Sequence, residues 1–369
     1  MTRSSSREAD RPGPRRKAAD TPALAATALV VTYNSAEHIE ACLNSLIGAG
    51  LAVRVVDNAS DDGTAELIAA RFPGTQLIAN QHNAGFPVAV NQAFAGVDTD
   101  IVLLVNPDAV LPADTAREMV GLLRANPDIG MAGPRLLDAQ GRDGFSAGPF
   151  ETIGVFLGRL LANQLGGRAH GFLYRHTRLR QYDIRAAGEE PVAVERLAGA
   201  LMAVRTEVFR RAGGLEEGYF MYYEDVELCL AAWRQGARVV YLPGVHATHI
   251  GGASNTDLTW TLPVKTRSQL RFVARHWPRS YQAMRLAVLS HAAVHVVAGV
   301  LRRPGRPMTP ATRAWARVAR IAWTMRTVPI ARRPYPRAHS TRTHSVPDGP
   351  DLGEFTRMVG EPETPTRSG

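Results

Sequence analysis

Cysteine is nearly absent: Cys42 and Cys229 are the only two in 369 residues. They lie far apart and form no CxxC pair, which excludes a disulfide scaffold and a structural zinc site and fits a reducing cytoplasm. Lysine is as scarce, with Lys17 and Lys265 alone, so arginine carries almost all of the formal net charge of +9. Much of that excess lies toward the chain ends, where it suits nucleic acid, an anionic membrane face or a solvated tail equally. The N-terminal run "MTRSSSREADRPGPRRKAADTP" lacks the apolar core that a secretory signal needs. A membrane span takes about 20 mostly apolar residues. The best candidate, "LAVLSHAAVHVVAGVL" at 286–301, is shorter and is interrupted by Ser290, His291 and His295. Flanked by Arg285 and by Arg302, Arg303 and Arg306, it suits a helix lying in the membrane interface and an amphipathic packing helix about equally. Both classical nucleotide loops are missing too: there is no GxxxxGK[ST], and Gly48-Ala49-Gly50 precedes a strand where it should follow one.

What the chain does have is alternation. With 45% hydrophobic and 21% charged residues it can bury one large core or two modest ones. From Ala26 onward, short β-branched runs at 27–33, 51–57, 75–79 and 100–105 are separated by segments of helical period, the signature of βαβ units and a mainly parallel α/β sheet. Asn34 with Glu37 resembles a capping box, and Gly48 and Gly50 close that helix. Further helices are expected from about Gly63 to Phe72, over "FPVAVNQAF", and from Pro112 to about Asn126. Farther on, a helix at about 224–235 leads to a strand at 238–242. Residues 139–195 are Gly-rich, with uneven periodicity, and give no clear elements.

In open sheets of this kind ligands collect beyond the carboxyl ends of the strands. That rule selects Thr32-Tyr33-Asn34, Asp57-Asn58 and Asn106-Pro107-Asp108. Pro107 cannot donate to a ladder and biases Asn106 toward extended backbone, so it ends the strand and frees Asp108 to face the crevice. The same triplet also serves as a plain turn. A carboxylate there suits Mg2+ or Mn2+ when a diphosphate supplies further oxygens, whereas neutral Asn106 suits a hydrogen bond to sugar or phosphate. In "FMYYEDVELCL", Glu224 and Asp225 open a helix, where the dipole alone would favour acids. Their crowding with Glu227 raises at least one pKa, as a general base requires. His246 and His249 follow in "PGVHATHIGGAS", and His249, directly before two glycines, is the better candidate to complete a cation site with Asp108. "GFSAG" at 144–148 satisfies GxSxG, with Asp225 and His249 in hydrolase order, but it lacks the strand before and the helix after that the elbow requires.

Taken together, "VVTYNSAEHIEACLNSL", "VVDNASDDGT", "NAGF" with Asn91, "LLVNPD", "GALMAVR", "FMYYEDVELC" and "HIGGAS" resemble the family 2 glycosyltransferases of GT-A fold, in their bacterial rhamnosyltransferase-like branch. The resemblance covers roughly residues 28–254. It implies a Rossmann-like mixed, mainly parallel sheet flanked by helices, and a metal-assisted, inverting hexosyl transfer without covalent intermediate. It further implies that Thr32 and Tyr33 line the nucleoside site, that Asp57 accepts the ring N3 proton, and that Asn83 and Gly85 flank the donor. Asp108 and His249 would hold Mg2+ or Mn2+, and Asp225 would deprotonate the acceptor hydroxyl. Three positions depart from the family pattern: Glu227 stands for aspartate, Ala231 for an arginine that Arg234 is the candidate to offset, and Pro87 for a small residue.

The expected organisation is a disordered basic tail (1–22), the GT-A domain (23–270), a helical Arg-rich membrane-associated extension (271–335) and a second disordered tail (336–369). The expected partners are a dTDP- or UDP-linked sugar, a lipid-linked or other glycan acceptor and an anionic membrane surface, with no nucleic acid. The enzyme would be cytoplasmic, peripheral on the inner membrane face, and would serve cell-wall polysaccharide synthesis, with L-rhamnose as donor sugar. The competing assignments are a serine hydrolase using Ser146 and a nucleic-acid-binding protein using the basic ends.

Overall fold

The computed structural model describes residues 23–165, 188–250 and 258–326. Its first part is a run of βαβ units: β1 (Thr27–Thr32), α1 (Ile39–Gly48), β2 (Ala52–Asp57), α2 (Thr64–Arg71), β3 (Gln76–Ala79), α3 (Phe86–Phe94) and β4 (Ile101–Val105). Every residue of β1 and β4 is buried, as expected of strands covered by helices on both faces. Alternate side chains feed two cores. Ala28, Val30, Leu103 and Val105 pack under α1, while Leu29, Val31, Val102 and Leu104 pack on the opposite face with Val90 and Ala93 of α3.

The chain then lays down β5 (Ala109–Val110), α4 (Ala113–Ala125), β6 (Ile129–Leu137), β7 (Ala147–Gly148), α5 (Ile153–Leu165), β8 (Val192–Ala193), β9 (Arg196–Leu197) and β10 (Leu201–Arg205). After α6 (Thr206–Ala212) and α7 (Glu224–Arg234) comes the long β11 (Arg238–His249). The main sheet runs β3-β2-β1-β4-β10-β6-β11-β5, with β8 also on β11, while β7 and β9 form a separate ribbon. β1 to β4, β6 and β11 share one direction; β10, β5 and β8 oppose it. The sheet is therefore mixed and mainly parallel. Because the chain travels outward from β1 to β3 and returns to β4 on the other side, the strand order reverses beside β1, and the crevice opens there.

Strand positions match the sequence expectation to within a residue, but three features differ. α1 begins at Ile39, after His38, with no side-chain cap. Asn34 instead adopts left-handed backbone (φ 52°) and accepts the Asp61 N–H, because bonding between loops replaces local capping. β11 is more than twice the expected length, since a register shift between Leu242 and His246 lets pairing resume past Pro243-Gly244. His246 and His249 thus belong to a strand.

The third difference lies in the helices after the sheet: α8 (Leu258–His276), α9 (Pro278–Leu301) and α10 (Pro310–Thr324). α9 starts eight residues before the apolar run, with Pro278 in its first turn, and at 24 residues it is long and apolar enough by length and composition to cross a membrane. It nevertheless packs through Tyr281, Met284, Val288 and Ala292 against the other two helices, while Leu286, Val294, Val297 and Leu301 form an exposed stripe at helical spacing. The expected boundary at 270/271 falls inside α8, whose Phe272 is buried in the main core. Both expected tails, the end of the extension from 327 and Gly251-Gly252 lie outside the described residues.

Candidate functional site

β1 and β2 pair in register from Thr27 with Ala52 to Thr32 with Asp57, which sets the last two side chains next to each other. Thr32 Oγ1 donates to Asp57 Oδ1 (2.7 Å); Ser60 adds its hydroxyl to Oδ1 (2.6 Å) and its N–H to Oδ2 (2.9 Å). Asp57 is 2% exposed, and with three donors already placed, Oδ2 is the atom with capacity for another. Tyr33, one residue on, stands 46% exposed at the rim. The loop it begins is stapled to the β2–α2 loop by Asn34 N–H to Ser60 Oγ (2.9 Å) and Ser35 N–H to Thr64 Oγ1 (2.9 Å).

Asn58 Nδ2 donates to the carbonyl of Gly85 (3.3 Å), and Asn83 Oδ1 accepts the Gly85 N–H (3.0 Å). Gly85 has φ +89°, and a Cβ there would come within 2.9 Å of the Phe220 carbonyl, which accepts the Phe86 N–H (2.9 Å). Only glycine admits that approach. Asn91 of α3 holds the far side of the same loop, with Nδ2 on the Leu215 carbonyl (2.9 Å) and Oδ1 on the Leu215 N–H (2.8 Å).

Past β4, Asn106 N–H donates to the Ala200 carbonyl (2.8 Å), and the chain turns through Pro107 into β5. β5 pairs with β11 so that Ala109 faces His249, which carries the imidazole to the buried carboxylate of Asp108. His249 Nε2 lies 3.3 Å from Asp108 Oδ1 and 3.3 Å from Asn106 Nδ2. Ala200, the partner of Asn106, follows Gly199, whose N–H donates to Asp225 Oδ2 (2.9 Å). A Cβ at Gly199 would sit 3.0 Å from that side chain, so the backbone approaches closely there. Contacts thus link Thr32, Asp57 and Gly85 to Phe220 and, separately, Asp225 through Gly199 and Ala200 to Asn106, His249 and Asp108, with the chain from 220 to 225 joining the two groups. Tyr33 follows Thr32 directly, at the exposed edge.

Among the described residues no three His, Cys, Asp or Glu side chains gather as a metal cage. Asp108 and His249 are a pair, and their 3.3 Å separation is close to that of two adjacent ligands on one cation at about 2.1 Å each. An oxygen-nitrogen pair of this kind fits a divalent ion that takes its remaining ligands from phosphate and water.

Tyr222 and Tyr223 both adopt left-handed backbone (φ 68° and 74°), turning the chain sharply into α7. The three acids that follow divide. Asp225 accepts the N–H groups of Gly199 and Val226. Glu224 is buried, which together with the nearby Asp225 charge pushes its carboxyl well above the usual range, as the crowding predicts. For Glu227, burial pushes upward but is overcome by a hydrogen bond from His276 Nε2 (2.9 Å), the Arg275 charge (3.1 Å) and Tyr219 OH (2.8 Å), which hold it at about 2. Arg234 donates to His276 Nδ1 (3.0 Å), so Nε2 carries the proton given to Glu227, and burial keeps that imidazole below its ordinary pKa. The cation in direct contact with Glu227 is Arg275 of α8, and Arg234 joins the same cluster through His276; Ala231, fully buried, lines the space that Arg275 enters.

Sequence reasoning missed Ser60, Gly199, Arg275 and His276. Ser60, three residues after Asp57, and Gly199, which opens "GALMAVR", carried a local signal; Arg275 and His276 are joined to the site only by the fold. The hydrolase assignment fails. Ser146 is 2% exposed, its Oγ accepts the Leu136 N–H (2.8 Å), β7 follows at once and α5 begins only at Ile153. Its supposed partners, Asp225 and His249, are engaged at Gly199 and at Asp108. Cys42 and Cys229 are both free, and burial pushes each thiol up to about 12.

Comparison with known proteins follows the same lines. The chain is 28% identical over 247 residues to N-acetylglucosaminyl-diphospho-decaprenol L-rhamnosyltransferase of Mycobacterium tuberculosis, covering 60% of this chain and 74% of that protein. It is 24% identical over 261 residues to rhamnosyltransferase WbbL of Escherichia coli strain K12, covering 67% and 92%. Among solved structures, GalNAc-T7 with UDP, GalNAc and Mn2+ superposes with a TM-score of 0.50 at 14% identity over 81% of this chain, spanning little more than half (55%) of that protein. Residues 22–282, well over half the chain, match the family described as glycosyltransferase like family 2: the chain belongs to that family and is a glycosyltransferase of the GT-A fold.

Proposed function

We propose that the enzyme transfers L-rhamnose, with inversion, from dTDP-rhamnose to a polyprenyl-diphosphate-linked sugar in cell-envelope polysaccharide synthesis. The observation that carries the reading is the convergence, through Gly199 and Ala200, of Asp225 with Asn106, Asp108 and His249 at the carboxyl ends of β1 and β4. The two rhamnosyltransferase relatives, one of them named for a decaprenol-linked acceptor, support the choice of sugar and acceptor.

In this reading Asp57 accepts the ring N3–H of the thymine through Oδ2, and exposed Tyr33 stacks on the base. Thr32 and Ser60 hold the Asp57 carboxylate in one rotamer, while Asn83 and Gly85 form the opposite wall. Asn106 donates to the sugar or a phosphate. Asp108 and His249 would hold Mg2+ or Mn2+, which neutralises charge on the departing nucleoside diphosphate. Asp225, with its carboxylate fixed by Gly199 and Val226, takes the proton from the acceptor hydroxyl as that oxygen attacks the anomeric carbon. Attack from the face opposite the leaving group inverts the anomeric centre. The exposed stripe of α9 and the arginines at 302, 303 and 306 support peripheral docking on an anionic membrane surface, where such an acceptor resides.

The test is transfer by the purified protein from a panel of dTDP-, UDP- and GDP-sugars with Mg2+ or Mn2+ to a polyprenyl-diphosphate-N-acetylglucosamine acceptor. Product linkage is read by NMR. Rhamnosyl product of inverted configuration is expected; preference for another donor overturns the sugar, and retention overturns the single displacement.

A further inference from the structure

The roles above leave one carboxyl at the head of α7 unused. Glu224 is the first residue of that helix, only 7% exposed, and its Oε2 has no hydrogen-bond partner. Buried polar atoms left in that state are rare in folded proteins. The titratable groups that act on it are Asp225 beside it and the Tyr222 phenol, whose own ionisation Glu224 disfavours; both are acidic, and among the described residues no cation offsets them.

Two adjacent carboxyls, one of them sealed from water, do not both ionise readily, so the buried one keeps its proton. The hydrogen bonds point the same way. Asp225 receives the N–H groups of Gly199 (2.9 Å) and Val226 (2.8 Å), donors that stabilise an anion, whereas Glu224 is aided only by its own backbone amide. The proton therefore stays on Glu224, leaving a buried O–H donor beside the proposed base. The left-handed pair Tyr222-Tyr223 and the Tyr223 hydroxyl bond to Glu151 fix the turn that delivers it.

We propose that Glu224 is a neutral carboxylic acid whose O–H donates a hydrogen bond to an oxygen of the sugar bound beside Asp225, and so is a specificity-determining residue of the transfer. The assignment rests on the glycosyl-transfer reading above. It places acid and base side by side, as in sites where an apolar setting keeps one carboxyl neutral for donation.

The test compares wild type, Glu224→Gln and Glu224→Leu by kcat/KM against pH with dTDP-L-rhamnose, Mn2+ and the lipid-linked acceptor. Wild-type activity falls at alkaline pH as Glu224 ionises. Glu224→Gln, which still donates but cannot ionise, loses that alkaline limb and runs within about tenfold of wild type. Glu224→Leu is slower by about a hundredfold, yet unfolds no more easily than wild type, because removing a buried unpaired polar group does not destabilise. An unchanged alkaline limb in Glu224→Gln, or full activity in Glu224→Leu, overturns the proposal. A second measurement is independent of turnover: infrared difference spectra of wild type against Glu224→Gln contain a protonated carboxyl band at neutral pH, which shifts on adding dTDP-L-rhamnose. Absence of that band refutes the neutral acid. If no donor is consumed while the band is present, the donor assignment has failed and the acid has not.

Discussion

Glu227→Gln separates charge from shape at the base of α7. The carboxylate accepts Tyr219 OH at 2.8 Å, His276 Nε2 at 2.9 Å and Arg275 Nε at 3.1 Å, all but sealed from water. Its fall from an ordinary 4.5 to about 2 corresponds to at most about 3 kcal/mol of folded-state preference for the charged form. The amide keeps the volume but offers one carbonyl to three donors, and Arg275 is left with Glu216 at 2.8 Å. Because the folded pKa is depressed, this stabilisation is complete above about pH 4.5 and disappears as pH falls toward 2. Urea unfolding followed by circular dichroism should show the variant weaker by about 3 kcal/mol at pH 7, with the gap narrowing below pH 4.5 and closing near pH 2. An equal gap at pH 7 and pH 3 would refute the electrostatic account and leave only a packing fault.

Four other expectations can be checked alongside. Asp225→Asn should reduce transfer by about 100- to 10,000-fold while donor binding by calorimetry persists, since only the proton acceptor is lost; near-normal turnover removes Asp225 as the base. Asp108→Ala and His249→Ala should each weaken Mn2+-dependent donor binding by at least about tenfold, and binding indifferent to cation in wild type and variants would remove the metal pair. Gly85→Ala, strained at φ +89° and forced within 2.9 Å of the Phe220 carbonyl, should lower stability by about 1–3 kcal/mol in thermal melts and weaken donor binding with it. Val294→Glu with Val297→Glu should release the protein from vesicles of anionic lipid in a sedimentation assay, and undiminished binding would clear α9 of membrane contact.

Much of the fold could be read from the chain because its central strands, β1 and β4, are wholly buried. Uninterrupted β-branched runs such as "TALVVT" have no other stable use, and the polar residue that ends each run marks the crevice. Thr32, Asp57, Asn106 and Asp108 were visible for that reason. The capping expectation at Asn34 failed because its bonds go to Ser60 and Asp61, 26 and 27 residues away, and local pattern carries no record of such partners. β11 outran its expected length because Pro243-Gly244 reads as a stop, whereas a register shift absorbs it. Arg275 and His276 were invisible for a different cause. They look like the basic end of any surface helix and become buried only when α8 folds back on α7.

The consecutive left-handed tyrosines carry a cost of their own. Each holds a conformation that side chains disfavour by about 1–2 kcal/mol, so the protein would be firmer with glycine or asparagine at 222. A looser link there would let the head of the following helix wander, and the two acids it presents would lose their bearing on each other. Selection for heat resistance alone should therefore discover replacements at this corner, and the survivors should be sturdy molecules that turn over poorly.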